Sequence, residues 1–272
     1  MLIGLGSYIF RFAVGTSTYH NPNPLGAVDV VKRAAELGAK VLQFAENLPL
    51  DDLPDETLGE MKRIADEAGM TLEVGTAGAS EEQMLKHLRI ATKLGAKLLR
   101  LSLQSGSIDL TIEEAKRAIF NVVPKFREHG ISIAIENHFT MKSEDMFNFI
   151  QEINDPLVGV CLDTANSIAQ QEWPEETIRI LGPLALSIHL KDYQLYMQPN
   201  GIGVNVRGVP LGEGRQNLDA ITEFLSNHNR DINIILEGWM PPLETVEETL
   251  QQEDQWIRKS LEVAQRFKKI TI

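Results

Sequence analysis

The sequence predicts an α/β protein built as a single (β/α)8 TIM barrel covering residues 1–272. Short aliphatic runs alternate strictly with longer amphipathic stretches, and this alternation indicates a parallel sheet connected by helices. Eight such units close a barrel, and 272 residues suit a fold that usually takes about 250. Polar side chains end four of the runs, at the edge where barrel enzymes keep their active sites.

The expected strands are mostly apolar throughout, as buried parallel strands should be. They lie near 2–7, 41–45, 71–75, 98–102, 132–136, 158–163, 185–190 and 232–237. The expected helices lie near 25–37, 55–68, 81–94, 112–129, 144–152, 174–181, 218–228 and 244–268. Two of them begin with a capping-box pattern, Ser80 with Gln83 and Thr111 with Glu114.

Side-chain parity in the last four of these strands supports a closed barrel. Successive strand side chains point to opposite faces. If the terminal polar residue of each strand points inward, every other residue of that strand is assigned to the inward or the outward face. The outward set is then large and aliphatic, including Ile133, Leu162, Leu186 and Leu236, and suits packing under helices. The inward set is mostly small or polar, and includes Ala185 and Cys161.

The four terminal polar residues are Glu136, Asp163, His189 and Glu237. Three carboxylates and an imidazole converging on one mouth repel one another unless a cation lies among them. Oxygen ligands with one nitrogen and no thiolate suit Mn²⁺, Mg²⁺ or Co²⁺ better than a structural zinc, with Mn²⁺ as the first choice. A structural role for all four is the less favoured interpretation.

A metal at this position would leave room for two substrate oxygens and would act as a Lewis acid on a carbonyl. The adjacent carbon then loses a proton more easily. Glu136 and Glu237 lie on different sides of the mouth, so one can remove a proton and the other can return one.

With these residues in place, the sequence resembles the xylose-isomerase-like barrel superfamily, in particular its sugar phosphate isomerase/epimerase branch. The matching segments span the chain: Ile135–His138, Cys161–Asn166, Ile188–Asp192, Pro210–Gly214 and Leu236–Gly238. The resemblance implies a Glu–Asp–His–Glu metal site and, as in ketose 3-epimerases, proton transfer by the two glutamates. No phosphate-binding motif accompanies it, so the resemblance does not specify the substrate.

Several further residues are candidate contacts for a carbohydrate substrate. Many ketose epimerases have a histidine three residues after the metal-binding aspartate, where this chain has Asn166. The other candidates are Tyr8, His138, Lys191, Arg207, Glu213 and Trp239.

Three structural expectations accompany these candidates. Arg100 points into the barrel by parity, and a buried arginine needs a carboxylate partner, for which we expect Glu73. Lys191 is expected to pair either with Asp192 or with a substrate oxyanion. The segment 193–210 is expected to be a lid or an oligomer contact.

The composition argues against nucleic acid and membranes as binding partners. A formal net charge of −12 argues against nucleic acid, which requires clustered Lys and Arg. No apolar run approaches the length of a membrane span, and the first residues resemble a strand rather than a signal peptide. The single cysteine suits a reducing cytoplasm. A homodimer or homotetramer is compatible with the sequence.

The sequence therefore favours a metal-dependent isomerase or epimerase of a ketose or keto-sugar derivative. The alternative is a lyase on the same scaffold, either a dehydratase of the inosose-dehydratase type or a keto-acid decarboxylase, and Asn166 keeps it open. An apurinic-endonuclease-like nuclease is disfavoured by the charge and by having only six histidines. A non-catalytic sugar-binding barrel is disfavoured by the complete ligand set.

Overall fold

The computed structural model describes residues 1–104, 110–228 and 232–269. Its strands are Ile3–Gly6 (β1), Val41–Gln43 (β2), Thr71–Ala77 (β3), Leu98–Ser102 (β4), Ser132–Glu136 (β5), Val158–Asp163 (β6), Ala185–Leu190 (β7), Asp192–Met197 (β8), Val204–Val209 (β9) and Asn233–Leu236 (β10). Its helices are Arg11–Val14 (α1), Ala27–Glu36 (α2), Asp55–Glu67 (α3), Glu81–Leu94 (α4), Ile112–His129 (α5), Ser143–Ile153 (α6), Pro174–Leu181 (α7), Leu218–His228 (α8) and Val246–Ala264 (α9).

Eight strands close into a barrel in the order β1-β10-β7-β6-β5-β4-β3-β2, and the pairing of β1 with β2 completes the ring. All of these pairs are parallel. Each barrel strand lies within two residues of its predicted bounds. The predicted TIM barrel is confirmed, and the carboxyl ends of all eight strands meet at one mouth.

The helices begin as their capping residues dictate. Thr111 and Glu114 form a reciprocal capping box at α5. At α4, Ser80 accepts a hydrogen bond from the Gln83 amide, but the Gln83 side chain donates to Asp51 and Thr76 instead of returning to the cap. No helix in the described part of the chain is long and apolar enough to span a bilayer.

The predicted parity fails at the start of β7. The pairing of β6 with β7 shifts register after Val160, which lies opposite Ala185, while Cys161 lies opposite Ser187. This bulge turns Leu186 into the barrel, where it packs against Leu98, Ala134 and Cys161, and moves Ala185 into the outer core. A bulge inserts one unpaired residue and reverses the alternation before it, so His189 keeps its inward orientation.

The segment after β7, expected to be a lid or an oligomer contact, is a β-hairpin. β8 and β9 pair antiparallel from Asp192↔Val209 to Met197↔Val204. The base of the hairpin packs against the site, because a Cβ at Gly208 would lie 2.7 Å from the Trp239 backbone. Alternating apolar residues around Pro199-Asn200-Gly201 are a hairpin signal, although no strands were predicted there.

Candidate metal and active site

The four polar residues at the strand ends converge as the sequence predicts. His189 Nδ1 lies 3.3 Å from Glu237 Oε1, 3.6 Å from Glu136 Oε1 and 3.9 Å from Asp163 Oδ2. Neighbouring strands bring them together, since Asp163 pairs directly with His189 and Glu237 directly follows β10, which neighbours β7. All four side chains are at most 7% exposed.

Asp163 is oriented by the turn that follows its strand. Its Oδ1 accepts hydrogen bonds from the backbone amides of Ala165 and Asn166, both at 2.8 Å. Asn137 binds both the amide and the carbonyl of Asp163, at 2.7 and 2.9 Å, and so joins the ends of β5 and β6. These bonds occupy Oδ1 and leave Oδ2 facing the other ligands.

His189 has one occupied and one unoccupied ring nitrogen. Its Nε2 lies 2.5 Å from Gln43 Oε1, whereas its Nδ1 is buried without a hydrogen-bond partner. A histidine whose second nitrogen donates to a fixed oxygen presents its other nitrogen as a metal ligand. Glu136, Asp163 and His189 each offer one such ligand atom, all within 4.8 Å of one another.

Glu136 is held by Arg100, and the expected pair of Arg100 with Glu73 is wrong. Arg100 Nε donates to Glu136 Oε2 at 2.5 Å, and Nη1 donates to Glu46 at 2.5 Å. Asn166 Nδ2 donates to the other oxygen of Glu136 at 2.9 Å. The Arg100 side chain extends along the strand toward the mouth. Gly75 is the β3 residue opposite Arg100, and Glu73 lies two residues before Gly75, farther from the mouth.

Lys191 bridges two of the ligands; of the two partners considered for it, Asp192 is wrong, and it lies in the site as the other alternative requires. Its ammonium lies 2.7 Å from Asp163 Oδ2 and 2.9 Å from Glu237 Oε2. Asp192 points the other way and accepts hydrogen bonds from four backbone amides, those of residues 193, 212, 214 and 216. Asp192 therefore anchors the hairpin and the loop after it, while Lys191 belongs to the site.

The pKa shifts describe a site that is short of positive charge. Burial alone would raise the pKa of Glu136, but the neighbouring Arg100 and His189 hold it well below its usual value. Burial opposes a charge on His189, yet Cys161, Glu237 and Glu136 raise the pKa of the imidazole well above its usual value. Burial raises the pKa of Asp163. Carboxylates outnumber cations here, so without a metal the imidazole is driven to hold a second proton on Nδ1, the position that a bound cation would take instead.

The residues present fit a divalent cation. Among the described residues, four carboxylates face two cations, which leaves two negative charges to balance; the carboxylates are Glu46, Glu136, Asp163 and Glu237, and the cations Arg100 and Lys191. The unpartnered His189 Nδ1 and oxygen-rich donors are what a hard or borderline cation prefers.

Besides Lys191, four of the predicted substrate contacts lie around the ligands. Tyr8 donates a hydrogen bond to Glu46 at 3.1 Å, and its pKa is raised by burial and by that carboxylate. Trp239 lies beneath the Lys191 ammonium, 5.0 Å from its ring centroid, and 6.1 Å from the Phe139 ring. His138 stacks edge-on against Phe139 at 4.6 Å. Together with Asn166, these side chains border the ligand cluster.

Arg207 and Glu213 are not brought to the ligands. Arg207 lies exposed on β9, where its guanidinium stacks over the Tyr196 ring at 5.4 Å. Glu213 forms a surface ion pair with Lys259 at 2.9 Å, and both side chains are more than half exposed. Arg207 lies away from the ligands because β9 pairs with β8 in a separate two-stranded sheet, where Arg207 lies opposite Gln194.

A cavity of about 1230 Å³ adjoins the site between the segments that follow β1, β2 and β10. Its wall includes Tyr8 and Glu46, which connect through Arg100 to Glu136. Arg11 and Met240 line its outer part. The cavity is large enough for a carbohydrate-sized molecule.

Three residues that shape the site were not predicted from the sequence, namely Gln43, Glu46 and Asn137. Gln43 and Glu46 lie at and just after the end of the short β2, and a polar residue after Val41-Leu42 was the available signal. Asn137 lies inside the matching segment Ile135–His138. Its amide group contacts the Asp163 backbone, a contact between two strands that nothing in the sequence indicated.

The family model described as Xylose isomerase-like TIM barrel matches residues 31–266 of the chain. The chain belongs to this family. The 3-oxo-isoapionate decarboxylase of Pectobacterium atrosepticum is 31% identical over 261 residues, which cover 96% of this chain and 94% of the relative.

Solved structures share the fold at lower identity. A D-psicose 3-epimerase with D-tagatose from Clostridium cellulolyticum has a TM-score of 0.74, 16% identity and 99% coverage of both chains. A xylose isomerase-like barrel from Mycobacterium smegmatis in complex with magnesium has a TM-score of 0.67 and 16% identity, over 96% of this chain and 97% of that one. The proteins similar to this chain thus include both an epimerase and a decarboxylase.

Proposed function

We propose that this protein is a divalent-metal-dependent lyase that decarboxylates a 3-oxo sugar acid. The name of the Pectobacterium relative describes loss of a carboxyl group from a 3-oxo acid, and this chain is aligned with it over nearly its whole length. The proposal reverses the order of the two hypotheses drawn from the sequence, in which an isomerase or epimerase came first.

The observation that carries the proposal is the unequal state of the two glutamates: His189 and Lys191 lower the pKa of Glu237 against its burial, but the pKa of Glu136 is held further below its usual value. Epimerisation needs one group to remove a proton and another to return one from the opposite face. Glu136 receives Arg100 on one oxygen and Asn166 on the other, and its pKa is held well below its usual value because Arg100 and His189 outweigh burial. A carboxylate so stabilised is a weak base, whereas decarboxylation needs only one proton.

The metal would be held by Glu136, Asp163, His189 and Glu237, with Mn²⁺ as our first choice and Mg²⁺ or Co²⁺ as alternatives. When bound, a divalent cation would polarise the 3-oxo group as a Lewis acid. The carbon–carbon bond to the carboxylate then breaks, its electron pair forms an enolate, and carbon dioxide leaves. One proton added to the enolate carbon completes the reaction.

The protein residues have separate roles in this scheme. Arg100 and Asn166 fix Glu136 as a ligand, and Lys191 fixes Asp163 and Glu237. Glu237 is the more exposed glutamate, at 7% against 3% for Glu136. It takes a proton from the Lys191 ammonium, which lies 2.9 Å from its Oε2, and passes that proton to the enolate carbon; solvent then returns a proton to Lys191.

The aromatic pair of Phe139 and Trp239 gives an apolar wall beside the mouth. A carboxylate facing such a wall is poorly solvated, and poor solvation favours its loss as neutral carbon dioxide. We assign the departing carboxylate to this side.

A ketose or keto-sugar epimerase is the second candidate. Glu136 and Glu237 both lie close to His189 Nδ1, at 3.6 and 3.3 Å, so two carboxylates are available to the same substrate, and two-base transfer would use them on opposite faces of its carbon. Both candidates act on a small carbohydrate, and they differ in whether a carbon–carbon bond breaks.

The test is incubation of the Mn²⁺-loaded protein in D₂O with a panel of 3-oxo sugar acids and ketoses. The lyase releases carbon dioxide and leaves one deuterium on the carbon that carried the carboxylate. Deuterium entering a ketose with no loss of carbon dioxide would establish the epimerase instead.

The variant Glu136→Gln separates the two mechanisms further. If Glu136 only holds the metal, a large excess of Mn²⁺ restores much of the activity that the variant loses. If Glu136 moves a proton, excess metal restores none of it, and the lyase scheme fails. Glu67→Gln, which alters an exposed carboxylate paired with Arg63, is the control for nonspecific loss.

A further inference from the structure

A chain of hydrogen bonds runs below the ligands across the floor of the barrel; it is buried from His189 to Glu73 and reaches the exposed Leu2 amide at its other end. His189 Nε2 contacts Gln43 Oε1 at 2.5 Å, and Gln43 Nε2 donates to Glu73 Oε2 at 2.8 Å. Asn233 Nδ2 donates to Glu73 Oε1 at 2.8 Å, and Asn233 Oδ1 accepts from the Leu2 backbone amide at 3.1 Å. The chain thus connects a backbone N–H of the first strand region to a ring nitrogen of a candidate metal ligand.

Every link in this chain has a fixed direction. A backbone N–H can only donate, so Asn233 must present its oxygen to Leu2 and its NH₂ group to Glu73. Asn233 and Gln43 both point their NH₂ groups at Glu73, so the direction of the chain is fixed while Glu73 is ionised. Burial raises the pKa of Glu73, and these two donated hydrogen bonds oppose that rise. Gln43 in turn must present its oxygen to His189, which leaves the imidazole to donate from Nε2.

We infer that Glu73 is a positioning residue that selects the metal-binding tautomer of His189 through Gln43. In the neutral imidazole that would bind a metal, the proton is held on Nε2 and Nδ1 faces Glu136, Asp163 and Glu237 without a hydrogen-bond partner. This inference rests on the metal site proposed above and adds two residues, Gln43 and Glu73, that contact neither metal nor substrate.

A single change of atom tests the direction of the chain. In Glu73→Gln, Asn233 still points its NH₂ group at residue 73, so the new amide must turn its own NH₂ group toward Gln43. Gln43 then rotates and points its NH₂ group at His189, which must accept at Nε2 and carry its proton on Nδ1. A one-atom change two side chains away from the metal ligand therefore blocks that ligand.

A double variant that combines Gln43→Glu with Glu73→Gln restores every donor and acceptor. His189 donates to the new carboxylate at position 43, the new amide at position 73 donates to the same carboxylate, and Asn233 donates to the amide oxygen at position 73. The side-chain lengths and the total charge are those of the native protein. A residue that merely filled space would not be rescued by exchanging an amide and a carboxylate.

The measurement is Mn²⁺ affinity by isothermal titration calorimetry, with long-range ¹⁵N spectra of histidine-labelled, Zn²⁺-loaded protein to locate the His189 proton. We expect Glu73→Gln to weaken Mn²⁺ binding by about 10–100-fold, the usual effect of losing such a supporting group. We expect the double variant to recover to within a few-fold. Glu253→Gln is the matched control, because Glu253 is another carboxylate that is 5% exposed but lies outside the chain.

The outcomes separate this inference from the proposed function. If the native protein binds no divalent metal, the proposed function itself fails, and this inference with it. If the native protein binds Mn²⁺ and Glu73→Gln binds it equally well with the proton still on Nε2, only the role of Glu73 is refuted. A folded double variant that binds no better than the single variant also refutes it.

Discussion

Replacing Arg100 with methionine tests how much the buried ion pair between Arg100 and Glu136 contributes to stability. Arg100 is 2% exposed and pairs with Glu136, which is 3% exposed, and with Glu46, which is 32% exposed. The substitution removes the charge but keeps an unbranched apolar side chain. It leaves Glu136 buried without its main cationic partner.

The expected loss follows from the burial of each partner. Breaking a buried ion pair by removing one side costs about 3–5 kcal/mol, and this applies to Glu136. Glu46 can turn toward water, so its share is about 0–1 kcal/mol. We therefore expect Arg100→Met to lower the free energy of unfolding by about 4 kcal/mol, a large part of the roughly 5–15 kcal/mol available to a domain.

Metal should offset part of this loss. A cation present at 100 times its dissociation constant stabilises the folded protein by about 2.7 kcal/mol, and a Glu136 freed from Arg100 gains more from a nearby cation. The assay is urea unfolding followed by circular dichroism, with Mn²⁺ or with EDTA. The deficit of the variant should be smaller with Mn²⁺.

Arg63→Met is the matched control. Arg63 makes an exposed ion pair with Glu67 on the surface of α3, and its loss should cost less than about 1 kcal/mol. If Arg100→Met costs no more than Arg63→Met under EDTA, then Glu136 does not depend on Arg100. Glu136 would then not be the fixed, weakly basic ligand that the lyase scheme requires.

Three further predictions concern other parts of the molecule. Glu237→Gln should reduce kcat about 1000-fold or more at saturating Mn²⁺ while the circular dichroism spectrum is unchanged; near-native turnover would remove Glu237 from proton transfer. Burial raises the pKa of Glu253 to about 7 despite hydrogen bonds from Phe12 and Ala13, so its contribution to stability is present below about pH 4.5 and is lost as the pH rises through 7. The native protein should thus lose about 3 kcal/mol more than Glu253→Gln between pH 4 and 8.5, as measured by urea unfolding at each pH, and parallel curves would contradict the shift. Trp239→Ala should raise KM about tenfold and change kcat less, because the ring supplies apolar contact area; steady-state kinetics decide, and an unchanged KM would place Trp239 outside the substrate site.

The barrel and the convergence of four polar strand ends could be predicted from the order of amino acids alone. Strand parity and strand ends are local properties: a buried parallel strand is apolar, and the polar residue that ends it must face the mouth. Glu136, Asp163, His189 and Glu237 could therefore be found without knowing which strands are neighbours.

The pairing of charges, in contrast, depends on how the strands are packed. Arg100 was correctly placed inside the barrel, but the choice between Glu73 and Glu136 depends on the stagger between neighbouring strands and on where a long side chain ends. Lys191 likewise turns to Asp163 and Glu237 rather than to its chain neighbour Asp192. Partners that lie far apart in the chain are set by register. Side-chain parity excludes a slip of one residue between strands, but it does not choose between registers that differ by two residues.

The bulge in β7 and the β8–β9 hairpin show the same division. The bulge reverses the side-chain alternation at Ala185 and Leu186 because β6 and β7 pair with one residue out of step, a property of two strands rather than one. The hairpin carries a local turn signal, but its position over Trp239 is a tertiary contact. Residue types in one strand decide what a site is made of, and packing between strands decides how its charges are shared.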